Sequence, residues 1–250
     1  MPRNTQHSQP NPLHNQPCGV LLVDKEPDMT SHDAVAICRR QLKFKKIGHC
    51  GTLDPMATGL LMLVIGKATK IQDLLMSEDK EYKGTMTLGV TTGSQDKESD
   101  ILEKKEVPAF TNKQIQTGFE KYIGDFEQIP PMVSAIKKNG VPLYKLARKG
   151  IEVERKPRAV FVTDYSIDRI TLPEVDFTVN CSKGFYVRTY AHDIGQDLGC
   201  GAHLSALRRT RSGKFTVDRA MTASELKTAS PDDIQNAMIS LAEISLMRGA

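Results

Sequence analysis

The sequence predicts a mixed α/β domain. Short apolar or period-2 segments that suit strands interleave with longer segments of helical spacing, without the strict alternation of a doubly wound sheet. A chain of 250 residues, 39% apolar and 26% charged, also has enough apolar matter for one conventional core.

Taken in order, residues 1–17 carry Pro2, Pro10, Pro12 and Pro17 and little to bury, so a disordered tail is expected. Residues 19–24 (GVLLVD) read as a buried strand, and Thr30 or Ser31 N-caps a helix over 31–44 with Val35, Ile37, Cys38 and Leu42. Residues 45–55 read as a loop rich in Gly and His. The apolar run 60–65 is too short for a lone helix and suits a central strand, followed by a helix over 67–76. Residues 82–90 alternate as a strand, 92–100 form a polar loop, and 111–123 place Ile115, Phe119 and Tyr122 on one helical face. Pro130, Pro131, Gly140 and Pro142 make residues 129–151 an irregular, mobile insertion. Strands are expected at 160–170 and 175–181, a helix at 185–198 ended by Gly199, and a last helix at 232–246. The organisation is thus a tail, one domain over 18–215 and a short C-terminal helical extension over 216–250.

Composition narrows the function classes. The chain has no apolar stretch of membrane-spanning length, and its first residues are polar, so it reads as cytoplasmic. Five cysteines, odd in number and without a C-x-x-C pair, argue against a disulfide framework or zinc site. The six histidines lack metal-ligand spacing. Gly66-Lys67-Ala68-Thr69 fails as a phosphate loop, and no dinucleotide fingerprint follows a strand, so neither metal nor cofactor is expected. The net charge of +4 is segregated: eight basic residues stand against two acidic ones between Lys137 and Arg158. A second cluster joins Arg208, Arg209, Arg211, Lys214 and Arg219. Such clusters build either a phosphate-binding face or a solvated surface.

Two segments carry candidate chemistry. In Gly48-His49-Cys50-Gly51-Thr52-Leu53-Asp54-Pro55, the proline keeps Asp54 out of helical geometry and presents its carboxylate as nucleophile or base, although Asp-Pro is also ordinary turn chemistry. In Cys181-Ser182-Lys183-Gly184-Phe185-Tyr186-Val187-Arg188-Thr189, Arg188 falls in the first turn of a helix, where a cation opposes the dipole. It reaches solvent there, or it holds a carboxylate in bidentate geometry and keeps it ionised.

Together these segments resemble the TruB-type tRNA pseudouridine synthases. GHCGTLDPMATG resembles the block around that family's catalytic aspartate. KATK, KEYKGTMTLG, IPPMVSAIKKNGVPLYKLARKG, CSKGFYVRT and LGCGAHLSALRR follow in the family's order, from about Gly19 to Phe215. The resemblance implies a largely antiparallel sheet of the pseudouridine synthase type, with flanking helices and the insertion 129–151 closing over RNA. It implies Asp54, Arg188 and Tyr82 as catalytic residues, the arginine pairing with the aspartate and the tyrosine stacking on uracil. His49, Lys70, Tyr186 and Leu207 become substrate or RNA contacts. The implied reaction isomerises uridine 55 in the tRNA T loop, with no cofactor, metal or obligatory protein partner. Attack on the ribose, attack on C6 and deprotonation of the sugar all remain open to Asp54. Two departures stand out. Asp28 occupies the usual glycine position in Asp24-Lys25-Glu26-Pro27-Asp28-Met29, where aspartate tolerates a left-handed backbone. The 35 residues after Phe215 are too few for the PUA-type domain of larger relatives. The rival expectations are a synthase aimed at another RNA uridine and a non-catalytic RNA-binding or tRNA-folding protein.

Overall fold

The structure is a computed structural model and describes residues 16–249. The expected tail falls almost wholly on residues 1–15, outside the described residues. The chain opens with β1 (Gly19–Lys25) and α1 (Ser31–Leu42). The Thr30 hydroxyl accepts from the Asp33 N–H at 3.1 Å, while the Asp33 carboxylate accepts from the Thr30 N–H at 2.7 Å, a reciprocal cap that fixes the start of α1. Lys43, left-handed at φ 49°, ends it. Part of the expected loop 45–55 is β2 (Ile47–Cys50), antiparallel to β3 (Thr58–Ile65). The helix expected over 67–76 is a 3-10 turn, Gly66–Ile71, that becomes α2 only at Gln72–Met76. Gly89, at φ 82°, divides the next expected strand into β4 (Lys80–Leu88) and β5 (Val90–Thr92).

β6 (Ile101–Lys104) pairs with β5, then come α3 (Asn112–Glu120) and β7 (Gly124–Gln128). The insertion holds a two-residue hairpin, β8 (Lys137–Lys138) and β9 (Val141–Pro142), and the short α4 (Leu143–Ala147). The long β10 (Arg158–Thr171) and β11 (Glu174–Cys181) lead to α5 (Val187–Asp197). Residues 202–212, to which the sequence pattern assigns no element, form β12 (Ala202–Ser212), followed by β13 (Phe215–Thr216) and β14 (Met221–Thr222). The single helix expected over 232–246 is instead α7 (Pro231–Ala237) and α8 (Leu241–Arg248), preceded by α6 (Ala223–Thr228). Thr222 with Glu225, Ser230 with Asp233 and Ser240 with Glu243 each make a capping box, so three starts are written where periodicity shows one helix.

Eight strands run in the order β14-β1-β3-β12-β4-β11-β10-β7, with β2 on β3 and β13 on β12. The sheet is antiparallel except where β1 meets β14 and β3 meets β12. The run Leu60–Ile65 is apolar throughout because β3 is buried on both faces. Leu61, Leu63 and Ile65 enter the main core with Met86, Phe119, Phe177 and Tyr190. Leu60, Met62 and Val64 enter a second core with Leu75, Phe215 and Ile244. The C-terminal segment closes that second face, and Ile239 exchanges two backbone hydrogen bonds with Val20, at 2.9 and 2.8 Å.

α5 crosses the sheet tightly enough that Gly195 has no room for a side chain. A Cβ there would lie 2.3 Å from the Ala202 nitrogen and 2.6 Å from the Gly201 carbonyl carbon. Gly195→Ala should therefore lift α5 from β12 and lower stability by about 1–3 kcal/mol, read by urea denaturation. A gain in stability, as helix propensity alone would give, would contradict this packing.

Candidate active site

Asp54 stands in the connection between β2 and β3, and that connection is pinned along its length. The Leu53 N–H donates to the Ser31 hydroxyl at 2.9 Å, which tethers the loop to the start of α1. The Pro55 carbonyl accepts from the Asp28 N–H at 3.1 Å and from the Lys25 ammonium at 3.1 Å. Lys25 is fully buried and also donates to the carbonyls of Glu26 at 2.8 Å and Met29 at 2.7 Å. Burial pulls its pKa down to about 8, so at neutral pH it stays charged, with one N–H for each carbonyl. Asp28 adopts the left-handed conformation expected of it, φ 59°. The Ala57 N–H donates back to the Asp54 carbonyl at 3.0 Å and closes the turn.

Arg188 reaches this loop from the first turn of α5. Its Nε lies 2.9 Å from one Asp54 oxygen and its Nη2 3.3 Å from the other, the bidentate pair that the sequence left open. The remaining donors are also occupied: Nη1 gives to the Ser94 carbonyl at 2.8 Å, and Nη2 to the Val133 carbonyl at 2.7 Å. A second carboxylate, Asp96, lies 3.5 Å from Nη1. The arginine and Asp96 side chains are each 3% exposed, whereas Asp54 keeps 32%, so Asp54 is the member of the group that a substrate can reach. Burial pushes the Asp54 carboxyl above the usual range. Arg188 opposes that push, and Asp96 reinforces it.

The other expected residues surround this pair unequally. Tyr82, half-buried on β4, and Tyr186, the residue before α5, both lie close enough for Asp54 to disfavour their ionisation, although burial is the larger influence on each. The Gln128 side-chain amide grips Tyr186 by its backbone, accepting from its N–H at 2.8 Å and donating to its carbonyl at 3.1 Å. Leu207 is buried on β12, where its carbonyl accepts from the Thr58 hydroxyl at 3.4 Å. His49, on β2, meets His32 edge-on at 5.2 Å, and its Nδ1 is buried without a partner. Burial, His32 and Arg209 push its pKa down to about 4, so it is neutral at physiological pH. Lys70 is exposed at the end of the 3-10 turn and joins none of the hydrogen bonds to Asp54 or Arg188.

Sequence reasoning missed three side chains. Asp96 sits in an acidic run that looks like solvated surface, and its burial depends on the fold. Gln128 closes β7 just before the insertion. Arg209 was grouped with the second basic cluster, which the structure breaks up. Arg209 is 2% exposed, Arg208 is committed to Asp24 at 3.0 and 2.7 Å, and Arg211 donates to Asn180 at 2.6 Å. Among the described residues, no group of three or more His, Cys, Asp or Glu is placed to hold a metal ion. No described helix is long and apolar enough to cross a membrane.

The profile of the TruB family pseudouridylate synthase N-terminal domain matches residues 39–187, more than half of the chain. The chain belongs to the TruB family. The profile of the tRNA pseudouridylate synthase B C-terminal domain matches residues 188–243. A tRNA pseudouridine synthase B of Opitutus terrae is 54% identical over 88% of this chain and 92% of its own length. Another, of Syntrophotalea carbinolica, is 46% identical over 90% of this chain and 74% of its own length. Among solved structures, a chain of a Cbf5-Nop10-Gar1 complex is similar with a TM-score of 0.70 and 28% identity, over 95% of this chain and 64% of that one. A chain of an H/ACA RNP bound to a substrate RNA containing 2'-deoxyuridine follows with a TM-score of 0.64, 28% identity and 89% of this chain against 60% of that one. The present chain therefore spans less than two thirds of each of these two solved chains. The mixed, largely antiparallel sheet expected from the resemblance is the family's fold, and the enzyme is an isomerase of this family.

The charge arrangement sets a pH dependence. If Asp54 acts ionised, turnover falls as pH drops through its raised pKa. The acid limb of the single-turnover rate should lie above pH ~4, the ordinary aspartate value. It should move higher in Arg188→Gln, which removes the strongest influence lowering that pKa. Quenched-flow assays across the acid range check this, and a limb at the ordinary value in the wild type would contradict it.

Proposed function

We propose that this enzyme converts uridine 55 in the T loop of tRNA to pseudouridine, with Asp54 as its catalytic carboxylate. The observation that carries the reading is the accessible Asp54 carboxylate held by a buried, fully committed guanidinium. The named relatives from Opitutus terrae and Syntrophotalea carbinolica give tRNA as the RNA class. A stacked base hides its reacting atoms, so the target nucleotide flips out of the RNA to reach Asp54. Tyr82 then offers the ring on which the uracil stacks, and Tyr186 and Leu207 line the pocket. His49, neutral and backed by His32, fills the place the base has left, and Lys70 meets a phosphate. The N1–C1′ bond breaks, the uracil turns, C5 bonds to C1′, and the C5 proton leaves as N1 gains one. The product is an isomer, so no electrons are exchanged.

The insertion and the segment that leads from it into β10 supply the RNA-facing charge. Lys137, Lys138, Lys145, Arg148, Lys149, Lys156 and Arg158 are exposed, and Arg155 is held by Glu152 at 2.9 Å. Pro130, Ile136 and Leu143 line the groove beneath them. The Val133 carbonyl accepts from Arg188, a contact that supports a role for this insertion beside the Asp54–Arg188 pair.

Tritium release from a T-arm stem-loop labelled at C5 of uridine tests the reaction. The wild type should release one equivalent, and Asp54→Asn should fall to background while still binding. Binding without release from either stem-loop or whole tRNA would favour another target uridine or a binding-only protein. Salt gives an independent check on the insertion. In the Asp54→Asn background, Lys137→Ala with Lys138→Ala should lower the slope of log affinity against log salt by about two, roughly one per lost phosphate contact. An unchanged slope would place those lysines off the RNA.

A further inference from the structure

Two neighbouring arginines on β12 face opposite sides of the sheet and meet opposite fates. Arg208 forms a bidentate pair with Asp24. Arg209 is 2% exposed, and among the described residues its guanidinium forms no ion pair with a carboxylate. Burying a cation without a counter-ion is costly, and a fold keeps one where its donors do something a neutral side chain cannot. Here Nε donates to the Leu60 carbonyl at 2.7 Å and Nη2 to the Gly51 carbonyl at 3.2 Å. Gly51 and Leu60 are the two sides of the neck of the loop that carries Asp54. The guanidinium therefore spans that neck.

The backbone of the same residue makes a second junction. Arg209 pairs in register with Tyr82 of β4 on one side and with Gly59 of β3 on the other. The approach to Gly59 is so close that a Cβ there, at φ 97°, would fall 2.2 Å from the Arg209 carbonyl oxygen. Directly opposed residues of neighbouring strands put their side chains on one face of the sheet, so Arg209 and Tyr82 share a face. The arginine's charge favours the ionised phenol, against the larger opposing effect of burial. One residue thus touches both halves of the catalytic constellation, the loop of Asp54 and the strand of Tyr82.

We infer that Arg209 is a positioning residue for the isomerisation, a charged tie that fixes the Asp54 loop and the Tyr82 ring relative to each other. This rests on the roles proposed above for Asp54 and Tyr82. The tie acts after the RNA has bound, so its loss shows in turnover rather than in affinity, and misplacement by about 1 Å costs on the order of 10²-fold in rate.

The test compares Arg209→Met, which keeps apolar bulk, with Arg209→Lys, which keeps the charge but not the fork. Single-turnover tritium release should fall on the order of 10²-fold in Arg209→Met, less in Arg209→Lys, with Kd for the stem-loop within twofold of wild type. Combining Arg209→Met with Tyr82→Phe should cost less than the product of the two separate losses. A further readout needs no substrate. The Tyr82 phenol, isolated as the ultraviolet difference between proteins with and without Tyr82→Phe, should titrate at higher pH once the guanidinium is gone. Unchanged turnover in both variants, losses that multiply with those of Tyr82→Phe, or an unmoved phenol titration would each overturn the tie. If Arg209→Met does not fold, Arg209→Lys carries the comparison, and equal loss of binding and turnover there would reduce Arg209 to a structural role. If the wild type releases no tritium, the proposed target fails, while the phenol titration still decides the link between Arg209 and Tyr82.

Discussion

The architecture around the site depends on one planar group. The Arg188 guanidinium takes carboxylate oxygens from the loop after β2, a carbonyl and a second carboxylate from residues 94–96, and a carbonyl from the insertion. Four stretches of chain, counting α5 itself, converge on it. A guanidinium offers five N–H donors in a fixed plane, so each partner's position constrains the others. A lysine would supply the charge without that geometry. Buried this deeply, the group also requires its partners, since removing one leaves a desolvated donor or an uncompensated charge.

The same logic recurs around the loop of Asp54. Lys25, Arg188 and Arg209 are all buried, and all three spend donors on backbone carbonyls that hold the loop or what faces it. Loops carry chemistry because they can be shaped freely, but a free loop would place its carboxylate loosely. Here buried cations take up acceptors that a turn leaves unpaired, and the loop acquires the fixity of the sheet beside it. The two carboxylates, Asp54 and Asp96, offset part of that positive charge, and Asp96 disfavours the ionised form of Asp54.

Much of this was legible in the residues. The apolar run at 60–65 identified the central strand, and the proline after Asp54 pointed to a presented carboxylate. The position of Arg188 at the start of a helix raised the bidentate pair that the structure contains. Other features were hidden for physical reasons. β12 escaped notice because bulges at Leu204/Ala206 and Arg209/Arg211 break its period of two, and its arginines read as surface. Asp96 and Arg209 are charged residues in buried places, the category that composition mislabels. The three C-terminal capping boxes, by contrast, were present as Thr222/Glu225, Ser230/Asp233 and Ser240/Glu243, and periodicity alone passed over them.

The sheet order has a consequence for how this chain can be divided. The two family profiles meet between residues 187 and 188, so Asp54 lies in the first and Arg188 opens the second. β12, supplied by the second, lies between β3 and β4 of the first. A chain severed at that boundary would leave the larger fragment with a gap in the middle of its sheet and an aspartate lacking its arginine. The smaller fragment would hold β12 without its partners β3 and β4, paired only at its end with the two residues of β13. The two profiled segments are thus units of sequence rather than of folding, and activity in a split enzyme would report reassembly of the whole sheet.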